Sequence, residues 1–155
     1  MRIRIIAVGQ HIADWAETAV RDYLGRFPRG FDVELKEIRT EPRAGQPPAK
    51  LMAAEGERIC KAIGPEDYVI VLDEHGRNVS TLDFAKLIAK GRADGETYAF
   101  IIGGPDGLAP EVKALARETI RLSDMTLPHA FARVLLAEQL YRAWSILANH
   151  PYHRA

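Results

Sequence analysis

One cysteine, Cys60, is all the thiol chemistry in this 155-residue sequence. A lone thiol closes no internal disulfide, so a reducing, cytoplasmic setting is the natural expectation. Net charge is missing too: 21 Lys and Arg balance 21 Asp and Glu. A chain that grips RNA alone is usually basic, because phosphate neutralisation drives non-specific affinity. Any nucleic-acid partner must then be recognised by shape or by a locally assembled cationic surface. No apolar run is long and clean enough for a membrane span; the best stretch carries Arg133, Glu138 and Arg142. Met1 and Arg2 lead straight into a strand-like run, which is expected to leave no room for a secretion signal. GxGxxG, GxxxxGK[ST] and GxSxG are all absent, which removes the main support for dinucleotide, P-loop and serine-elbow readings. His150 and His153 have no cysteine or carboxylate near them in sequence, so no metal is expected.

What is present reads as one globular α/β domain over residues 1–155. Apolar residues make up 47% and charged residues 27%, enough for a real core. Residues 3–8, 33–38, 68–72 and 97–102 read as strands, and 120–122 as a short fifth. The continuous runs YVIVL and TYAFII suit strands covered on both faces. Helical patterns lie between them. Asp14 with Glu17 and Ser80 with Asp83 resemble capping boxes, the first helix running to about Leu24 and the second ending near Gly91. Residues 49–63 have helical spacing, and Pro110 suits a first helical turn. The alternation predicts an open, mostly parallel sheet with helices on both faces.

The polar segment 39–48 holds three prolines. Its Arg39 and Arg43, with nearby Lys50, read either as an RNA contact or as scattered charge on a solvated loop. The turn Gly103-Gly104-Pro105-Asp106-Gly107 follows a strand, the position where open α/β sheets hold ligands; it reads equally as a plain strand-to-helix turn. Asp73 and Glu74 end another strand, either touching a ligand or capping a turn.

In the last helix, about 130–149, Glu138, Arg142, Ser145 and Asn149 share one stripe. Most of the remaining circumference is apolar, including Leu140 and Trp144. Such a helix calls for a second burial partner. A symmetric copy placing Leu140 and Trp144 at the contact is one reading; a helix buried centrally in one chain is the other. The tail from His150 to Arg154 is expected to fray.

The motifs TLPH and EQLYRAW and the ending PYHR, with IIGGPDGL and LDEHG, make the whole chain resemble the RlmH family. These are ribosomal RNA large-subunit methyltransferases of the SPOUT superfamily. The resemblance implies a trefoil-knotted C-terminal part and a homodimer. It also implies S-adenosyl-L-methionine as methyl donor and N3-methylation of a pseudouridine in 23S rRNA of the assembled ribosome. Matching motifs place the donor against Leu72, Gly103, Gly104, Ser123, Asp124, Met125, Thr126, Leu127 and Pro128. Glu138 and His153 are the candidate bases. His129, Arg133, Arg142, Tyr152 and Arg154 are the candidate RNA contacts. Ala109 departs from the pattern, since relatives often carry a helix-capping serine there. A SPOUT enzyme for another RNA site and a non-catalytic ribosome-associated module are the alternatives.

Overall fold

The computed structural model describes residues 1–42 and 45–154. In chain order the elements are β1 (Arg2–Val8), α1 (Asp14–Leu24), β2 (Asp32–Ile38), α2 (Pro48–Ala62) and β3 (Tyr68–Asn78). There follow α3 (Thr81–Ala93), β4 (Thr97–Ile102), α4 (Pro110–Leu115), β5 (Glu118–Arg121), α5 (His129–Leu147) and a 3-10 turn at Pro151–His153. The five strands form one parallel sheet in the order β2-β1-β4-β3-β5.

Period-two alternation sorts the central strands between two cores. Ile3, Ile5 and Ala7 of β1, with Phe100 and Ile102 of β4, join Phe84 and Ile88 of α3 and Leu136 and Leu140 of α5. Ile6, Val8, Ala99 and Ile101 face the other way, onto Ile59 of α2 and Val112 of α4. Both faces of the sheet are therefore covered, which is why its central strands are apolar on both sides.

Local signals succeed unevenly. The Ser80 hydroxyl accepts from the Asp83 amide at 3.0 Å and the Asp83 carboxylate accepts from the Ser80 amide at 3.3 Å, a complete capping box. The box expected at Asp14 does not form. Ala13 is the N-cap, Asp14 already lies in the first turn, and Glu17 pairs instead with Arg21 at 2.7 Å. Strand β3 runs six residues past Leu72, because Arg77 and Asn78 rejoin β5 after an irregularity. At that crossing the two backbones nearly touch: a Cβ added to Gly76 would sit 2.6 Å from the Ile120 carbonyl carbon. Only glycine fits there.

Helix α5 packs against both α1 and α3 within one chain. Leu140 is fully buried in the chain's own core, and Trp144 stacks on Tyr141 at 5.3 Å between ring centroids. Much of the apolar circumference is thus used internally, and Leu140 is no surface contact. Ser145, on the polar stripe, is also fully buried.

The tail is not frayed. Asn149 adopts a positive φ of 55°. The His150 amide then donates to the Ser145 carbonyl at 2.8 Å and the Asn149 amide to Ile146 at 3.3 Å. This pair of bonds is a Schellman motif, which turns the chain back over the helix.

Candidate active site

The carboxyl ends of parallel strands are where an open α/β sheet exposes unpaired backbone and collects ligands. Here a cleft opens at that edge. Leu72 of β3, Gly103 after β4, and Ser123, Met125, Thr126 and Leu127 of the loop after β5 line it, with His129 at the start of α5. Three separated stretches of sequence meet at one opening. Gly104, Asp124 and Pro128 are absent from the lining. A Cβ at Gly104 would point inward, 3.1 Å from Val8 Cγ1 and 3.3 Å from Glu55 Oε1. Asp124 pairs with Arg121 at 2.7 Å. Asp73 and Glu74, whose role local sequence leaves open, also line the cleft, as do Ile102, Arg121, Leu122 and Ala132, which no motif match assigns to the donor. Arg121 Nε is buried without a partner among the described residues.

His129 closes one wall. Its Nδ1 lies 3.0 Å from the Gly103 carbonyl and its Nε2 lies 2.8 Å from Arg133 Nη2. A carbonyl only accepts and a guanidinium only donates, so Nδ1 carries the proton and Nε2 holds the lone pair. Burial first, and the Arg133 charge second, push the imidazole below the usual histidine range. The ring is neutral. Arg133 is fully buried; it donates to Glu37 at 2.7 Å and to the Gly9 carbonyl at 3.0 Å. Placed there, it has no surface to offer an RNA phosphate, unlike the expectation from sequence.

A second polar cluster sits at the other end of α5. Glu138 accepts from Gln139 Nε2 at 2.7 Å, from Arg142 Nε at 3.1 Å and from the Tyr152 hydroxyl at 2.8 Å. Burial, with hydrogen bonds to Tyr23 and Glu138, raises the Tyr152 phenol above its ordinary range. The Tyr152 ring packs on Tyr141 at 4.7 Å and lies 5.1 Å from the Arg142 guanidinium. The buried Ser145 hydroxyl donates to the Arg142 carbonyl and stands 3.0 Å from His153 Nδ1. Arg154 is exposed beyond this cluster.

In the 39–48 segment, the Arg39 carbonyl accepts from Arg58 at 2.9 Å, and Arg43 lies outside the described residues; Lys50, just beyond the segment in α2, is exposed. Among the described residues no group of three or more His, Cys, Asp or Glu is placed to hold a metal, and no helix is long and apolar enough to cross a membrane.

Known proteins match this arrangement over its whole length. "Ribosomal RNA large subunit methyltransferase H" of Delftia acidovorans is 53% identical over 154 residues, 99% of each chain. The protein of that name from Variovorax paradoxus is 52% identical over the same span. The crystal structure of a probable methyltransferase from Bordetella pertussis Tohama I shares the fold, with a TM-score of 0.59 at 18% identity, covering 92% of this chain and 93% of that one. A family model described as "Predicted SPOUT methyltransferase" matches residues 1–153. With a parallel sheet, a cleft at its carboxyl edge and relatives alike from end to end, the chain belongs to the SPOUT methyltransferase family.

Proposed function

We propose that this chain, working as one domain in the cytoplasm, transfers a methyl group from S-adenosylmethionine to N3 of a pseudouridine in 23S rRNA of the assembled ribosome. The carrying observation is the cleft, which gathers Leu72, Gly103 and the loop at 123–127. Its walls fit the donor. Leu72, Ile102 and Leu127 offer apolar surface for a purine, and the unpartnered Arg121 Nε suits a carboxylate. The bound donor supplies an already electrophilic methyl, so the protein's main task is alignment. His129 and the glycine turn hold one wall, and the loop at 123–127 holds the other.

The proton on N3 must leave. Glu138 accepts from three neighbours and is already committed to the tail. With the Ser145 hydroxyl donated to Arg142, His153 Nδ1 carries a proton toward Ser145, so in the neutral ring Nε2 is the nitrogen free to accept one. His153 is therefore the better base, with Arg142 and Arg154 set to contact phosphate. Stacking of Tyr152 on a flipped base requires the tail to lift, since its ring already rests on Tyr141.

Distance supports a homodimer. His129 and Arg142 are 13 residues apart on one helix, about 20 Å along its axis. One methyl transfer cannot span that gap, whereas a second copy laid antiparallel brings its tail to the first copy's cleft. Trp15 and Phe131, each about half exposed and 4.8 Å apart, offer apolar surface beside that end of α5. The knotted chain path belongs to the same reading.

Tritium transfer to intact ribosomes, naked 23S rRNA and transfer RNA, with mass spectrometry of the product, tests the assignment. Methylated pseudouridine from ribosomes alone is expected; donor binding with no transfer to any RNA would overturn it. Mixed dimers test the sharing. Pairing a chain blocked at the cleft with one lacking residues 152–155 should leave either one working site or none, according to which chain supplies the tail. A fully active, monodisperse monomer would defeat it.

A further inference from the structure

Three neighbouring strands end on one buried guanidinium. Arg133 holds Glu37 at the end of β2, the Gly9 carbonyl just past β1, and His129 Nε2; His129 in turn holds the Gly103 carbonyl just past β4. A buried arginine is costly unless its charge is paired and its donors are used, and here a single carboxylate pairs it. Filling a core gap would need no imidazole at its far end. That ring is also the only member of the chain of contacts besides Gly103 that lines the cleft.

We propose that His129 and Arg133 are positioning residues for the methyl donor: the series Glu37–Arg133–His129 fixes the Gly103 carbonyl, and protonation of His129 releases it. The inference rests on the donor occupying the cleft as proposed above. Protonated, the imidazole would turn an N–H toward the Arg133 N–H across 2.8 Å, so the ring must rotate and drop the Gly103 carbonyl. The downward shift of the imidazole agrees with this neutral state. The other charges facing the ring are few. Glu37 of β2 reaches it only through Arg133, while Asp73 and Glu74 of β3 and Arg121 of β5 line the same cleft. Asp73 is engaged by the His75 amide and Lys113, and Arg121 by Asp124.

The test is calorimetry with S-adenosylhomocysteine on the full chain at pH 8, with His129→Leu and His129→Asn beside the wild type. Losing the carbonyl bond should weaken binding about 3- to 10-fold in His129→Leu. His129→Asn, which keeps a side-chain N–H, should recover most of it. Donor KM should rise while ribosome KM stays unchanged. Nitrogen-15 NMR of wild-type His129 should report the neutral Nδ1–H form, and donor affinity should fall with the midpoint of that titration, a dependence missing from His129→Asn. Equal binding by wild type and His129→Leu would overturn the proposal. So would a wild-type pH profile retained by His129→Asn. If His129→Leu does not fold, binding by His129→Asn decides, and a loss of tenfold or more there also overturns it. No binding by the wild type would instead sink the cleft assignment.

Discussion

The Tyr152 hydroxyl donates to Glu138 Oε2 at 2.8 Å, across the turn that reverses the chain after α5. The same carboxylate pairs Arg142, so the tail and the helix share one anion. Tyr152→Phe removes that bond and the 3.1 Å contact with the Tyr23 hydroxyl. The expected loss is about 0.5–1.5 kcal/mol. Denaturant titration would measure it, and donor affinity should be unchanged while transfer to ribosomes changes. Deleting residues 152–155 should spare donor binding and strongly reduce transfer.

Gly76→Ala should destabilise the chain by about 1–3 kcal/mol, because its Cβ would meet Ile120 backbone on the adjacent strand. The three nearest obstacles are all main-chain atoms of Ile120, with no flexible side-chain end among them to swing away. A guanidinium midpoint equal to that of wild type would refute the crossing described above.

The pH dependence of stability has a definite sign at His129. Its folded pKa is lowered from 6.5, so between the two values the unfolded chain binds the extra proton. Stability from this group is present above about pH 6.5 and is lost as pH falls toward the folded value. Melting temperatures of wild type and His129→Asn should diverge on acidification, the wild type falling faster. Parallel curves would count against a neutral, buried ring.

Ala109 caps α4 without a side-chain bond. Ala109→Ser should add about 0.5–1 kcal/mol by offering an acceptor to the first-turn amides. Calorimetric melting should rise by about 2–4 °C.

Ala132→Phe should fill the cleft from the α5 side and weaken donor binding at least about tenfold, since Ala132 lines the opening and is only partly buried. Gly104→Val, by contrast, strikes Val8 and Glu55, so its expected effect is lost stability. Calorimetry and melting curves on the two variants separate the cases.

The strands were legible because β-branched runs such as YVIVL have nowhere else to go in a doubly covered sheet. The continuation of β3 through Asp73–Asn78 was not, since polar residues hold an extended shape there only because β5 supplies partners. Of the residues expected at the donor, Leu72, Gly103 and most of the loop at 123–127 line one cleft. The burial of Arg133 is illegible in sequence for a reason of range. On the helix it is one charge among apolar residues, and its partner Glu37 lies 96 positions earlier. The only local hint was the spacing of four from His129, which aligns them on one face. The central place of α5 is one of two readings that its sequence allows, because periodicity reports an apolar surface and says nothing about which element covers it.

Arg133 reaches back 124 residues to Gly9, and the cleft's walls from Arg121 onward belong to the last quarter of the chain. Sequence separation of that size delays closure during folding, since long loops must be ordered before such contacts form. On a translating ribosome, β1 and β2 emerge long before the arginine that locks their ends. The nascent protein therefore lacks both the C-terminal wall of the cleft and the helix that completes one core until the last quarter of the chain has emerged.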